Sequence, residues 1–182
     1  MKKWVKILLV TFIGFIIAVA GVLGFSYYKY WGRFDDDKEK YPHYIGYIDQ
    51  ENAQLNNTHE LCGDKHIAYT YNGAAFRAFT GTKKTFRNNI FSSYQNRDYS
   101  DSGYLNFRFL VNCEGQAGWF EVIKMNLDLE ETELNKAMVD QLLILTSNQK
   151  HWNKLNYKGT PLNYYMYVSY RIENGEITEI LP

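Results

Sequence analysis

The side chains able to do chemistry gather in one short stretch. His59, Glu60, Cys62, Asp64 and His66 lie close together, and the chain's second cysteine, Cys113, stands well downstream. Imidazole nitrogens and a thiolate are zinc ligands, so His59, Cys62 and His66 have the makings of a metal site. Zinc needs three or four converging ligands in a fixed geometry, however, and one short cluster that includes a cysteine with another use is a thin basis for it. A Cys–His nucleophile, Cys113 with His151 or His66, would need hydrogen-bond reach and an oxyanion site. Glu114 beside Cys113 works against it, because an adjacent acid raises a thiol pKa. The third chemistry is a disulfide. In an exported domain two cysteines usually pair, and a Cys62–Cys113 bridge would be worth roughly 4 kcal/mol by chain entropy. In a cytoplasmic domain the same residues would be two free thiols. No Gly-rich phosphate loop occurs, since Gly115 and Gly159 are isolated turn glycines. The expectation is therefore no catalytic residue, no cofactor, no metal and no enzyme. The alternative is an exported enzyme with a Cys–His or metal centre around Cys62, His59, His66 and Cys113.

Which chemistry applies depends on the compartment, and the N-terminus addresses that. Lys2, Lys3 and Lys6 precede Ile7 to Tyr28, a run without charge. As a helix it would span roughly 33 Å, close to the hydrocarbon thickness of a bilayer. Trp4 on one side and Tyr27, Tyr28, Tyr30 and Trp31 on the other form two interfacial belts. The leading lysines place the N-terminus in the cytoplasm, so the expected location is the cell inner membrane, single-pass, with the C-terminal domain in the periplasm. Ala18-Val19-Ala20 also reads as a signal-peptidase site, which leaves cleavage open.

Composition narrows the function further. The chain has 182 residues, 46% of them hydrophobic, with 16 Tyr, 11 Phe and 4 Trp, enough for one real core. Lys+Arg and Asp+Glu both number 20, and that neutrality argues against nucleic acid as a partner. The expected division is residues 1–28 as cytoplasmic tip and anchor, 29–60 as stalk and irregular segment, and 61–182 as the periplasmic domain.

Within that domain the hydrophobic period alternates between types. Ile67 to Tyr71 reads as a short strand. Phe86, Ile90, Phe91 and Tyr94 place a helix over residues 83–96. Leu105, Phe107, Phe109 and Val111 alternate along a strand from Tyr104, turned at Asn112-Cys113-Glu114-Gly115 into a second strand that ends at Met125. Leu134, Ala137, Met138, Gln141, Leu142 and Leu145 then repeat at helical spacing, with Thr132 or Asp128 as the cap. An aromatic strand, Asn163 to Glu173, turns at Asn174-Gly175 into a strandlet, Ile177 to Leu181. The fold class is α+β: an N-terminal transmembrane helix, then a small antiparallel sheet with two helices packed on one face.

Ser102 to Gly115, with its small-Gly start, alternating strand and turn, resembles the opening of a TonB C-terminal domain. His151-Trp152, Asn156 to Pro161 and Tyr165 to Ile172 resemble that family's later segment, so the likeness covers roughly residues 83–182. The resemblance implies an αββαβ domain in the periplasm that binds protein partners of the cell envelope. Those partners would be an outer-membrane transporter, captured by strand addition to a sheet edge, or an ExbB/ExbD-like complex at the anchor. The anchor has no histidine, and no Pro-rich spacer follows it. Residues 29–82 as a coil would reach only about 40 Å, so the likeness points to a domain held near the inner membrane. Tyr165, Tyr167 and Ile177 are the candidate partner-binding surface, since Tyr is enriched where proteins meet, and the edge strand also offers a route to a homodimer.

Overall fold

The computed structural model describes residues 3–30, 48–57, 59–63, 67–70 and 75–181. Contacts divide it into two units, Met1–Tyr44 and Ile45–Pro182. In the first, helix α1 spans Lys3–Tyr30. Its Thr11 hydroxyl turns back onto the carbonyls of Ile7 and Leu8, at 2.9 and 3.0 Å, so the polar group is satisfied within the helix itself. Among the described residues it is the one helix long and apolar enough to cross a membrane, a property that membrane anchors and signal sequences share.

The second unit is α+β. Its elements are β1 (Ile67–Tyr69), α2 (Ala75–Ala78), α3 (Lys83–Ser93), β2 (Gly103–Val111), β3 (Ala117–Met125), α4 (Lys136–Ser147), a 3-10 turn (Gln149–His151), β4 (Leu155–Tyr157), β5 (Thr160–Glu173) and β6 (Glu176–Leu181). Strand β5 is the spine. One side pairs antiparallel with β2 along its length, from Gly103 opposite Ile172 to Val111 opposite Tyr164. Its other side is shared: β4 folds back on residues 160–162, β1 takes Asn163 to Tyr165, and β6 takes Ser169 to Glu173. The main sheet therefore runs β1–β5–β2–β3. An antiparallel sheet is what the hairpin signals predict, but β1 enters parallel to β5 and makes the sheet mixed.

Local chemistry sets the helix ends. Thr82 caps α3 by accepting from the Thr85 N–H, and the helix stops at Tyr94. The cap of α4 is Asn135, whose side chain accepts from the N–H groups of Ala137 and Met138, rather than Thr132 or Asp128. Asp128 instead lies in a tight turn in which Asn126 Oδ1 accepts from its N–H at 2.9 Å.

Both helices pack on one face of the sheet. Phe86 and Ile90 of α3 and Met138 and Leu142 of α4 join Leu105, Phe107, Phe109, Val111, Tyr164, Val168 and Tyr170 in a single buried cluster. Trp152 sits at its centre, with ring centroids 5.2 Å from Phe79, 5.4 Å from Phe86 and 5.1 Å from Phe109. Its indole N–H donates to the Thr146 carbonyl at 2.9 Å, and the Thr146 hydroxyl lies 2.7 Å from that of Tyr170. The buried polar atoms of this core are thus satisfied by one another.

Candidate functional site

The opposite face of the sheet carries the residues that could meet a ligand or a partner. Strand register arranges them in rows across β3, β2 and β5: Met125–Tyr104–Arg171, Ile123–Asn106–Ser169, Glu121–Arg108–Tyr167 and Gly118–Leu110–Tyr165. The last row is covered. The sequence predicts an irregular stalk through residue 60, but from Ile48 the chain lies on the sheet. Ile48 and Ala53 form a second small core with Leu110 and Tyr165, and Leu61, Ile67 and Trp119 pack against it. Gln54 pairs with Phe120 in both directions at 2.8 Å, closing part of the β3 edge.

Two buried asparagines fix the end of this covering segment. Asn163 holds Cys62 like a strand partner: its Oδ1 accepts from the Cys62 N–H and its Nδ2 donates to the Cys62 carbonyl, both at 2.9 Å. Asn112 donates to the Glu60 carbonyl at 3.0 Å while its Oδ1 accepts from the N–H groups of Glu114 and Gln116 in the hairpin turn. With both chains so placed, Cys62 and Cys113 are joined in a disulfide with their Cα atoms 5.9 Å apart. Replacing Asn163 by leucine should cost about 2 kcal/mol, because two partly buried main-chain groups lose their partners. The denaturant midpoint of the full-length protein measures this; an unchanged midpoint would mean that Cys62 is held by the disulfide alone.

His59 lies near the end of this segment, just before Cys62. It is 5% exposed and packs over Gly118, where any Cβ would overlap its ring. Its ring meets Trp119 edge-on at 5.9 Å. Burial pushes the His59 pKa down to about 4, so the imidazole is neutral at pH 7. Trp119 itself takes a left-handed backbone, φ 50°, at the point where the β2–β3 register shifts between Arg108 and Leu110. That bulge turns Phe120 inward, stacked on Phe109 at 4.5 Å, and leaves Trp119 on the outer face. A bulky residue at positive φ is strained and persists only where its surroundings impose it.

His59 and Trp119 line a cleft of about 280 Å³ with Gln50, Glu60 and Leu61. His59 Nε2 and Trp119 Nε1 are each buried with no hydrogen-bond partner among the described residues. Beside them Arg108 is held by its neighbours: its Nε donates to the Tyr165 hydroxyl at 2.7 Å and its Nη1 pairs with Glu121 at 2.8 Å. Burial raises the Tyr165 pKa, partly offset by Arg108. A second groove, of about 270 Å³, runs from Gln54 and Val122 to Val139, and its charged residues pair among themselves, Lys124 with Glu133 and Lys136 with Asp140.

The sequence-based site residues fall as follows. Cys62 and Cys113 are bonded to each other, so neither is a thiol. His151 is 4% exposed and packs edge-on to Phe86 in the helix-side core. His66 lies outside the described residues. No group of three His, Cys, Asp or Glu side chains able to hold a metal occurs among the described residues. Of the three partner-surface candidates, Tyr167 is exposed at 42%, whereas Tyr165, at 2%, lies under Ile48 and Ala53, and Ile177 is buried in the helix-side core. The His59–Trp119 cleft escapes sequence reasoning, because it exists only where the strand bulge and the covering segment meet. Comparisons with protein-family models, with curated proteins and with solved structures return no match for this chain, so the TonB C-terminal likeness rests on its sequence pattern alone.

Proposed function

We propose that this chain is a protein-interaction module resembling the TonB C-terminal domain, held at the inner membrane by α1 with its folded unit in the periplasm, and that it is not an enzyme. The observation that carries this reading is the pairing of an apolar N-terminal helix with a disulfide in the following unit, since disulfides persist in oxidising compartments. The Cys–His alternative loses its nucleophile to that same bond. The partner is a protein of the cell envelope, of the transporter or ExbB/ExbD-like kind.

Two surfaces support docking. The sheet rows Met125–Tyr104–Arg171 and Ile123–Asn106–Ser169 are only half buried, and exposed Tyr167 borders them. Strand β6 pairs with β5 alone among the described strands, so its outer main-chain edge is a site for strand addition by a partner or a second copy. A photo-crosslinking residue in place of Tyr167 should give a discrete adduct with an envelope protein in native membranes. The same residue in place of Ile144, exposed on α4 behind the sheet, should give none. Adducts from both positions or from neither would overturn the docking assignment.

A further inference from the structure

Charge is divided between the two ends of the folded unit. Strand register and helix contacts define those ends. Gly103, Met125 and Ile172 lie at one, where the Tyr94 hydroxyl of α3 donates to the Gly175 carbonyl. Val111 and Tyr164 lie at the other, where Phe86 of α3 meets His151 and Trp152 and the Tyr164 hydroxyl donates to the Asn153 carbonyl. The first end exposes Asp98, Glu130, Glu131 and Glu176 beside Arg97. The second exposes Lys83, Lys84 and Arg87 of α3, Lys150 of the 3-10 turn, and Lys154 and Lys158 on either side of β4. Glu114, which pairs with Lys154, is set among them, whereas Glu60 belongs to the covering segment on the opposite face of the sheet.

Two features set this basic end apart from a merely solvated surface. Lys83 and Lys84 stand in the first turn of α3, where no acid accompanies them and the helix dipole disfavours cations. Lys158 sits in the turn of the β4–β5 hairpin next to Tyr157, which is 62% exposed, and its ammonium lies over the tyrosine ring at 5.4 Å. An exposed tyrosine among lysines suits a bilayer interface, with the ring at headgroup level and the ammonium groups on anionic phosphates. Shape agrees with this. Strand β5 runs past its last β2 pairing, Val111 opposite Tyr164, so the hairpin extends beyond the main sheet and meets a broad surface first. A polyanion that wrapped the unit would meet the acidic end, whereas a flat anionic surface touches the basic end alone. We propose that this basic end docks on an anionic lipid bilayer, with Tyr157 at the headgroups and the acidic end turned away. The inference rests on the reading of α1 as a membrane anchor, which keeps lipid at high local concentration.

The test places the full-length, disulfide-bonded protein in nanodiscs of phosphatidylcholine, with or without phosphatidylglycerol, doped with a nitroxide-headgroup lipid. Trifluoromethylphenylalanine replaces either Tyr157 or Leu129, which is 65% exposed in the turn after β3 at the acidic end. The ¹⁹F resonance at Tyr157 should broaden in the anionic discs and stay sharp in the neutral ones, and that at Leu129 should stay sharp in both. Raising the salt to about 1 M, where the Debye length is about 3 Å, should sharpen the Tyr157 probe. Lys84→Glu with Lys158→Glu should cut the docked-to-free ratio at least about 25-fold, roughly fivefold per lysine. The Trp152 indole, bonded to the Thr146 carbonyl, reports that the variant is folded. A Tyr157 probe that stays sharp in anionic discs would overturn the proposal, and a basic end that serves an acidic protein would give that result. Broadening of equal size in neutral discs, or at Leu129, would overturn it as well. Co-elution of the chain with the discs reads α1 separately: a chain that does not co-elute removes the anchor reading and this inference with it.

Discussion

Replacing Cys62 and Cys113 together by serine is expected to lower the unfolding free energy by about 4 kcal/mol, the chain-entropy value for a closed loop of this size. The two residues are separated by 51 positions. Against a typical domain stability of about 5–15 kcal/mol this is a large share. The loss should also be local in character, because the bridge ties the covering segment to the β2–β3 turn beside Asn112 and Asn163. Denaturant titration of the full-length protein in detergent checks it, with the reduced wild type expected to unfold where the double serine variant does. Coincident midpoints for the oxidised protein and the serine variant would show that the bridge constrains nothing that the asparagines do not already hold.

Acidification should be at least as damaging. His59 and His151 are pushed down to about 4, both chiefly by burial, with the Lys150 charge adding to the effect at His151. In the unfolded chain each returns to its ordinary value near 6.5. Between those two pH values the unfolded state holds more protons than the folded one. Stability is therefore complete above about pH 6.5 and falls as pH drops toward 4, by up to about 1.4 kcal/mol per pH unit for each histidine. His59→Gln should roughly halve the slope, leaving the His151 share. Urea midpoints at half-unit pH steps between 7 and 4 measure it, and a wild-type slope no steeper than that of the variant would remove His59 from the account.

What the sequence made legible were the elements whose signals are local. The alternation from Leu105 to Val111 depends only on side chains two apart, and those residues do face the core. Asn174-Gly175 turns β5 into β6 because both residues adopt positive φ, 51° and 74°. Tyr165 and Tyr167 show where this reasoning stops. Parity puts both on the outer face, correctly, but only Ile48 and Ala53, far away in sequence, decide that Tyr165 is covered and Tyr167 is not. Segment 48–62 has no hydrophobic period to read, since side chains such as Asn163 and a single bridge at Gln54 hold it in place of a ladder. The parallel entry of β1 is equally nonlocal: a three-residue strand carries no mark of its partner's direction. The cleft combines both blind spots, a bulge in β3 and a segment without period.

Strand β5 has one more implication, for the order of events during synthesis. It occupies Thr160–Glu173, after β1, β2, β3 and β4, yet β1, β2, β4 and β6 all pair with it. Until β5 emerges, β1 has no strand neighbour and β2 has only its hairpin partner β3 among the described strands. The nascent polypeptide cannot complete its sheet early and remains threadable through a narrow channel. Because its pairings join segments far apart in sequence, closing the sheet then proceeds slowly, in the regime of high contact order.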